Sequence, residues 1–314
     1  MAEILAVANI ASDSIAALEA EHRVHRLWEA PDRDALLASV GPRVQAVFTS
    51  GLRGADAALL ARLPALRIVC CFGSGYENVD LAAARARGIA VTHSPGANAP
   101  DVADMAWALL LAAARRVGSG DRLIRLGGWT KAYANPVVPG VLGRRLGIIG
   151  LGAIGSEVAK RAAGFDMEVR YHNPRPREVP FARMASPLAL ADWADILVVS
   201  CRASPATQGI VDGAVLRALG PQGVLVNVAR GSVVDEAALI AALRDGVILA
   251  AGLDVFAREP DVPEALRALD NVVMTPHAAD YTQRAFAAKM AMVRENLRRC
   301  FAGEPLLSPV PGSY

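Results

Sequence analysis

Three glycines in the middle of the chain stand at the spacing that a bound pyrophosphate requires. An apolar run, residues 146–149, leads into a G-x-G-x-x-G pattern formed by Gly150, Gly152 and Gly155, and a helix-like segment follows. In such a corner the first glycine permits a tight turn, the second admits the pyrophosphate, and the third lets the helix pack closely on the strand. A glycine turn with only a structural role is the alternative. The flanking strand and helix favour a nucleotide-binding βαβ unit, with backbone N–H groups directed at the anion.

The residues after the next strand predict which dinucleotide binds. An NAD site places Asp or Glu at this point, where the carboxylate binds the ribose 2′-hydroxyl. Here the strand 168–172 is followed by Asn173, and Arg175 and Arg177 come next. Two arginines can pair with a 2′-phosphate, unless they are ordinary solvated side chains of the surface. The sequence predicts NADPH (NADP) as the preferred cofactor, with NAD as a second candidate.

Three further side chains could act on a small keto acid. Arg230 follows an apolar strand, and its fork of donors suits a 2-oxo acid, whose carboxylate and keto oxygen lie side by side. His277 follows another strand, and histidine can deliver the proton that ketone reduction requires near neutral pH. Glu259 could hold the far ring nitrogen of this histidine and favour its protonated form. Taken alone, Arg230 could equally form a surface salt bridge, and His277 could be a satisfied loop residue.

Four motifs occur in a recognisable order along the chain, at residues 150–155, 227–231, 253–260 and 275–277. With these motifs the chain resembles the D-isomer-specific 2-hydroxyacid dehydrogenase family over essentially its whole length, and within it the glyoxylate/hydroxypyruvate and hydroxyphenylpyruvate reductases. The resemblance implies an NAD(P)H-dependent reduction of a small 2-oxo acid to a D-2-hydroxy acid. It assigns Arg230 to substrate orientation, His277 to proton donation and Glu259 to holding the histidine.

The same resemblance implies further contacts. Backbone N–H groups of Ser74 and Gly75, in a turn after a buried strand, would bind the substrate carboxylate; a turn that only needs positive φ is the alternative. Asp254 would accept a hydrogen bond from the carboxamide of the nicotinamide. The remaining cofactor contacts carried over by position are Ala153, Ile154, Cys201, Arg202, Thr207, Val228, Ala229, His277 and Ala279.

Two features bear on the substrate and on assembly. Family members usually continue the histidine motif as His-Ile-Gly-Ser-Ala-Thr, whereas this chain has Asp280 and Tyr281 at the fourth and fifth positions. A desolvated Asp280 would repel an acid, so it turns away, pairs with an arginine such as Arg53, or faces a cationic or hydroxyl-rich substrate tail.

Trp129 lies in a segment that wraps the partner subunit in related reductases and there reaches the neighbour's active site, which predicts a homodimer. A tryptophan anchored in its own domain is the alternative.

The elements that would position these residues predict an α/β fold. Short apolar strands alternate with helices, which implies parallel sheets with right-handed crossovers. We expect two doubly wound parallel-sheet domains with a cleft between them: a substrate domain, residues 1–96 with 283–314, and a Rossmann dinucleotide-binding domain, residues 97–282. Strands are predicted at 4–8, 23–27, 46–49, 66–72, 89–92, 146–149, 168–172, 196–200, 223–227, 249–254 and 272–275, and helices at 12–21, 34–40, 78–87, 99–116, 119–126, 156–163, 235–243 and 284–301.

Bulk composition limits the function classes. The chain has 314 residues, 53% of them hydrophobic, and a net charge of only +2, which favours neither nucleic acid nor an anionic membrane surface as a partner. The longest apolar run, 105–114, is too short to cross a bilayer. No signal peptide is recognisable, and the cysteines have no zinc-site spacing, so we expect a cytoplasmic protein with reduced thiols and no metal.

Two alternatives to a glyoxylate/hydroxypyruvate reductase remain open. The same scaffold could reduce an aromatic or a sugar-derived 2-oxo acid. The family fold also serves nucleotide-sensing corepressors, which bind a dinucleotide and partner peptides. Such a protein would turn over every acid slowly.

Overall fold

The computed structural model describes residues 1–10 and 12–313, which divide into two compact units. The terminal unit comprises Met1–Asn98 and Tyr281–Tyr314, and the central unit comprises Ala99–Asp280. Both units consist of a parallel sheet with helices. Within the described residues, no helix is both long enough and apolar enough to cross a membrane.

The strands and helices alternate along most of the chain. The strands are β1 (Glu3–Ala6), β2 (Arg23–Arg26), β3 (Ala46–Thr49), β4 (Ile68–Cys71), β5 (Ala90–Thr92), β6 (Arg145–Ile149), β7 (Glu168–His172), β8 (Ala182–Arg183), β9 (Ile196–Val199), β10 (Val224–Asn227), β11 (Ala250–Leu253) and β12 (Val272–Met274). The helices are α1 (Ser12–Glu19), α2 (Arg33–Val40), α3 (Ala57–Ala61), α4 (Leu81–Ala86), α5 (Ala99–Ala114), α6 (Val117–Arg125), α7 (Ala153–Ala162), α8 (Pro187–Trp193), α9 (Gly213–Leu219), α10 (Glu236–Arg244), α11 (Glu264–Arg267) and α12 (Gln283–Ala302).

The terminal unit contains a parallel sheet in the order β2-β1-β3-β4-β5. β3 and β4 are buried along their whole length, as expected for apolar strands of a parallel sheet that is covered on both faces. Asp32, Asp56 and Asp80 each accept a hydrogen bond from the backbone N–H three residues ahead, which fixes the starts of α2, α3 and α4. The segments 50–56 and 72–80 connect the carboxyl ends of β3 and β4 to α3 and α4.

The last helix and the segment after it complete the terminal unit. α12 begins where the Thr282 hydroxyl accepts the N–H of Ala285, and it packs Met290 and Val293 into the core beside the sheet. Residues 307–313, here called the strap, run along the β5 edge, where Val310 N–H donates to Val91 O at 2.8 Å. The strap thus covers a sheet edge that would otherwise present unpaired backbone groups.

The central unit contains a parallel sheet in the order β12-β11-β10-β9-β6-β7-β8. The order reverses between β6 and β9, and ligands of such sheets bind beyond the carboxyl ends of the strands at this reversal. On one face α5 packs against α7: the Trp107 indole stacks on Phe165 with ring centroids 4.5 Å apart and donates to Val158 O at 3.1 Å. Helices α8 to α10 bury a second apolar cluster.

The predicted fold class, two α/β domains built on parallel sheets, is confirmed. The predicted strands agree with the observed bounds to within two residues. Two helix starts are wrong by three residues. α4 begins after Asp80 rather than at Asn78, because the aspartate caps it, and α7 begins at Ala153, directly after Gly152. The periodicity does not predict α3, α8, α9, α11 or β8, which are too short to show a period.

Candidate active site

The central unit shows why two of the three glycines are required. Gly150 follows β6 with φ +96°, and a Cβ there would overlap the backbone of Cys201. A Cβ on Gly155 would lie 2.5 Å from the carbonyl oxygen of Gly150, too close for the helix to keep its place. At Gly152 a Cβ would meet no described atom within 4 Å. This middle glycine therefore faces an open cradle in front of α7, of the kind a pyrophosphate occupies.

Side chains from two neighbouring strand ends hold this turn in shape. The Ser200 hydroxyl, after β9, donates to Gly150 O at 2.9 Å. The Asn173 amide oxygen, after β7, accepts the N–H of Leu151 at 2.7 Å. Because α7 starts at Ala153 without a side-chain cap, its first N–H groups have no side-chain acceptor and suit the binding of an anion. The sequence motif did not indicate the contribution of Ser200, whose only signal is its place at a strand end.

The segment after β7 carries three arginines rather than the two that the sequence singles out. Arg175 and Arg177 are exposed, and the backbone N–H of Arg177 donates to the Tyr171 hydroxyl at 2.9 Å. Arg183 reaches back from β8, and its guanidinium donates to the carbonyl oxygens of Asn173 at 2.9 Å and Pro174 at 3.0 Å. The loop is therefore anchored at both ends, with its two arginine side chains facing solvent.

Arg230 stands on a turn that its own motif builds. After β10, the Asn227 side chain accepts the N–H of Ala229 at 3.0 Å and donates to Arg230 O at 3.0 Å. The next residue, Gly231, has no room for a Cβ against the backbone of Phe256. Arg230 Nη1 donates to Ala229 O at 2.7 Å. The turn thus fixes the base of a half-buried guanidinium, while Ala229 itself is buried.

His277 and Glu259 are in direct contact. The Glu259 carboxylate lies 2.7 Å from Nδ1 of His277, and its other oxygen accepts the N–H of Phe256 at 3.1 Å. A carboxylate only accepts, so Nδ1 carries the proton and Nε2 is the ring atom directed away from Glu259. His277 has φ +51°, a left-handed conformation that costs a non-glycine residue about 1–2 kcal/mol. Its N–H donates to Asp254 O at 2.9 Å, which helps to hold that conformation.

Asp254 organises the backbone around the histidine. Although its side chain is only 1% exposed, it has no cationic partner among its recorded contacts. Instead, one carboxylate oxygen accepts the Thr275 hydroxyl at 2.6 Å and the N–H of Ala278 at 2.8 Å, and the other accepts the N–H of Ala279 at 3.1 Å. Three donors compensate for the buried charge. The sequence assigned Asp254 to the cofactor but did not reveal this link to the histidine loop.

The loop after β9 is tightly folded. The Thr207 hydroxyl donates to Arg202 O at 2.8 Å and also accepts the N–H of Ser204 at 2.8 Å. Burial raises the pKa of the Cys201 thiol to about 11. Of the other residues predicted to contact the cofactor, Ile154 lies in the first turn of α7, Val228 N–H donates to Val199 O, and Ala279 is buried.

Ser74 and Gly75 lie in the terminal unit, in the turn after β4. Gly73 has φ +133°, and the turn is tied to the segment after β5: Ser94 N–H donates to Gly73 O at 2.7 Å, and Nδ1 of His93 donates to Ser74 O at 2.9 Å. Within residues 1–10 and 12–313, no hydrogen bond from the backbone N–H of Ser74 or Gly75 is found. Two adjacent donors are therefore left for a ligand.

The residues behind the histidine motif divide between the units. Asp280 is the last residue of the central unit and is half-buried. Tyr281 is the first residue of the returning part of the terminal unit, where its exposed ring packs edge-on against Phe286.

Trp129 is 66% exposed in the long segment between α6 and β6. Among the described residues, no group of three or more His, Cys, Asp or Glu side chains could hold a metal ion.

Comparisons with known proteins identify the family to which the chain belongs. The model of the D-isomer specific 2-hydroxyacid dehydrogenase NAD-binding domain matches residues 107–279. The chain is 40% identical over 294 residues to hydroxyphenylpyruvate reductase of Plectranthus scutellarioides, which covers 93% of this chain and 94% of the relative.

Solved structures extend the likeness to the whole chain. The 2-hydroxyacid dehydrogenase of Ketogulonicigenium vulgare Y25 is 43% identical, with a TM-score of 0.92 and 99% of both chains covered. The NADPH-dependent glyoxylate/hydroxypyruvate reductase of Sinorhizobium meliloti, solved with NADP and malonate, is 37% identical, with a TM-score of 0.90 over 99% of this chain and 97% of the other. The family predicted from the four motifs is confirmed, and with it the class of oxidoreductases: the chain belongs to the D-isomer specific 2-hydroxyacid dehydrogenases.

Proposed function

We propose that this enzyme uses NADPH in preference to NADH to reduce a small 2-oxo acid to a D-2-hydroxy acid. The observation that carries the proposal is the 2.7 Å contact between Glu259 and Nδ1 of His277. It leaves Nε2 as the ring nitrogen that can give a proton to a substrate oxygen, with a carboxylate behind the ring to stabilise its protonated form. His277 presents its ring from a left-handed backbone conformation, of a kind that is enriched at functional sites.

The residues of the central unit fit a dinucleotide. The open cradle at Gly152, the N-terminus of α7 without a side-chain cap, and the braces from Ser200 and Asn173 suit a pyrophosphate. A bound NADPH supplies the hydride that is transferred to C2 of the acid. Asp254 and the buried backbone at Val228 and Ala229 are the proposed contacts at the nicotinamide end, since Asp254 retains lone pairs beyond its three donors. Thr207, Cys201 and Arg202 are the proposed contacts around the adenosine.

The preference for NADPH rests on the charge of the loop after β7. Asn173 replaces the carboxylate that would bind a 2′-hydroxyl, and its amide oxygen is already bonded to Leu151. Arg175 and Arg177 are exposed on an anchored loop, where guanidinium groups can bind a 2′-phosphate. The Sinorhizobium meliloti relative is NADPH-dependent and was solved with NADP, which supports the same preference here.

In the proposed reaction, each of the chain's own groups has one task. Arg230 is proposed to bind the carboxylate and keto oxygen together, and the N–H groups of Ser74 and Gly75 are proposed as further donors to the carboxylate. This orientation directs the keto oxygen to Nε2 of His277. When hydride reaches C2, the oxygen becomes an alkoxide and takes the proton of Nε2, while Glu259 holds the ring. The product is the 2-hydroxy acid, and His277 then regains a proton from water.

Glyoxylate and hydroxypyruvate are the proposed substrates, because relatives with about 40% identity act on acids of this kind: hydroxyphenylpyruvate for the Plectranthus enzyme, and glyoxylate and hydroxypyruvate for the Sinorhizobium enzyme. Asp280, where relatives usually have serine, distinguishes this chain. If its carboxylate faces the substrate, it favours an acid with a hydroxyl-rich tail, such as a sugar-derived 2-oxo acid.

We also propose that the protein is a cytoplasmic homodimer. α6 buries none of its residues, and the segment after it exposes a run of apolar side chains that includes Leu126 (78% exposed), Trp129, Val137 and Leu142. Such a patch on a soluble protein favours coverage by a partner. All four cysteines are free thiols, which suits a reducing compartment.

The deciding experiment measures oxidation of NADPH and NADH with glyoxylate, hydroxypyruvate, phenylpyruvate and 2-ketogluconate, for the wild type and for His277→Ala and Asp280→Ser. We expect NADPH-linked turnover that falls about 10²-fold or more in His277→Ala with unchanged NADPH binding. Improved glyoxylate reduction in Asp280→Ser would place that carboxylate beside the substrate. Tight NADPH binding without turnover on any acid would contradict the proposal and favour a nucleotide-sensing role.

A further inference from the structure

We propose that His93 is a positioning residue for the substrate carboxylate, acting through the turn that contains Ser74 and Gly75. The inference rests on the proposed function, because it assumes that this turn binds the acid. It adds a residue outside the four sequence motifs, and it connects the turn to the strap at the end of the chain.

The turn is anchored through its carbonyl oxygens. Gly73 O accepts the N–H of Ser94 at 2.7 Å, and Ser74 O accepts Nδ1–H of His93 at 2.9 Å. Since a peptide unit is planar and trans, its C=O and N–H point in opposite directions. Fixing Gly73 O therefore aims the N–H of Ser74 away from residues 93–94, and fixing Ser74 O does the same for the N–H of Gly75. These are the two donors that lack a hydrogen bond within the described residues.

Of the two anchors, only His93 depends on a side chain. A carbonyl oxygen can only accept, so Nδ1 must carry the proton. The ring is held in place from a second direction by Tyr76, whose ring lies edge-on at a centroid distance of 5.2 Å. The Ser74 hydroxyl lies within hydrogen-bond distance of Ser94 O and of the Asn98 amide oxygen, which ties the side chain of the turn to the same segment.

The backbone of His93 is held in turn by the strap. Ser308 O accepts the N–H of His93 at 3.2 Å, and the Ser308 hydroxyl donates to His93 O at 2.6 Å. The Asn296 side chain, only 1% exposed on α12, donates to the Ser308 hydroxyl at 2.9 Å and accepts the N–H groups of Leu307 and Ser308. A continuous series of hydrogen bonds thus runs from α12 through Ser308 and His93 to the turn.

The turn has little freedom on its other side. A Cβ on Gly51, in the segment after β3, would lie 2.6 Å from the carbonyl carbon of Gly75. The backbone of the turn therefore lies against that segment on one side and is hydrogen-bonded to residues 93–94 on the other. Loss of the His93 bond should rotate the Ser74–Gly75 peptide, because that bond fixes its plane.

The test compares His93→Phe, which keeps an aromatic ring but removes the donor, with His93→Asn, whose amide N–H₂ can occupy the position of Nδ1. Ser308→Ala removes the support behind His93. His25→Phe is the matched control, since His25 lies on β2, the edge of the sheet opposite β5, and binds Glu3. For each, KM and kcat for the best 2-oxo acid, KM for NADPH, and amide hydrogen exchange of Ser94 are measured.

We expect His93→Phe to raise KM for the acid about tenfold, which corresponds to about 1.4 kcal/mol, with kcat and KM for NADPH within twofold of the wild type. His93→Asn should restore KM to within about threefold, and Ser308→Ala should give an intermediate rise. Exchange of the Ser94 amide, which donates to the turn, should accelerate in His93→Phe and not in His25→Phe. A change in kcat alone, or a KM that His93→Asn does not restore, would overturn the positioning role.

Failure of the inference and failure of the proposed function are distinguishable. An active wild type with unchanged KM in His93→Phe would refute the inference only. If the wild type reduced no acid, the proposed function would fail, and the same variants would be titrated with oxalate in the presence of NADPH. Weaker oxalate binding in His93→Phe, restored in His93→Asn, would support the anion-binding turn, and equal or absent binding in all variants would refute it.

Discussion

The Glu259 carboxylate joins two neighbours at once: one oxygen lies 2.7 Å from Nδ1 of His277, and the other accepts the N–H of Phe256 at 3.1 Å. The backbone bond fixes the rotation of the carboxylate, and the carboxylate fixes the ring. The Glu259 carboxylate therefore supplies both the negative charge beside the His277 ring and the contact that orients the ring.

Glu259→Gln tests the two contributions together. A glutamine has one accepting oxygen, so it can satisfy either His277 or Phe256 but not both, and it no longer stabilises a protonated ring. We expect kcat for 2-oxo acid reduction to fall about 10²-fold, within the range of general-acid catalysis, with NADPH affinity unchanged. Glu236→Gln is the control, because Glu236 accepts the N–H of Ala257 without touching the histidine. Equal activity of Glu259→Gln and wild type would exclude the carboxylate from proton transfer.

The three glycines should respond differently to alanine. Gly155→Ala places a methyl group 2.5 Å from Gly150 O, so it should lower both the melting temperature and NADPH affinity. Gly152→Ala meets no described atom, so it should keep the melting temperature but occupy the cradle and weaken NADPH binding at least tenfold. Gly164→Ala, which also has open space but lies at the other end of α7, should change neither. Thermal unfolding and fluorescence titration with NADPH measure both quantities, and normal NADPH binding by Gly152→Ala would argue against a pyrophosphate at this corner.

The arginine loop can be tested by cofactor selectivity. Arg175→Ala combined with Arg177→Ala removes two cations that would pair with the 2′-phosphate, and charge-assisted hydrogen bonds contribute about 1.5–3 kcal/mol each. We expect NADPH affinity to fall at least tenfold and NADH affinity to change less than threefold. As a control, Arg244→Ala removes a positive charge from α10, where the arginine pairs with Asp245, and it should leave both affinities unchanged. An equal loss for the two cofactors would refute a role in recognising the phosphate.

Local sequence was sufficient for the parts of the site that each lie within one turn. The glycine corner, the Arg230 turn and the histidine motif are short segments whose glycines, strand ends and polar residues sit together in the chain. Apart from the contact between Glu259 and His277, the contacts that depend on tertiary structure were not predictable. Arg183 lies on a two-residue exposed strand and becomes relevant only because it folds back onto Asn173 O. Asp254 looks like a ligand of the cofactor in sequence, but the structure shows that it also holds the loop of His277 from 24 residues away.

Cys201 provides a pH-dependent probe of the cofactor loop. Burial raises the pKa of its thiol to about 11, and the thiolate is the reactive form. At pH 8 only about one thiol in a thousand is ionised, so alkylation by iodoacetamide should be slow and should accelerate about tenfold per pH unit until pH approaches 11. NADPH should slow it further. Cys300 is a second thiol whose pKa is raised by burial. The Cys201→Ser variant retains Cys300, so the alkylation that is lost in this variant is that of Cys201. A rate that levels off at about pH 9, as expected for an exposed thiol, would contradict the raised pKa of Cys201.

The exposed apolar segment after α6 predicts a dimer that can be broken by charge. Leu126→Asp with Trp129→Asp places two carboxylates in the patch, and an interface cannot bury unpaired charges without a large penalty. We expect the wild type to sediment as a dimer and the double variant as a folded monomer with an unchanged circular dichroism spectrum. Leu188→Asp is the control, since Leu188 is an exposed leucine on α8, away from this segment. If Trp129 reaches the partner's site, Trp129→Ala should raise KM for the acid while the protein remains dimeric. A monomeric wild type would contradict the proposed dimer.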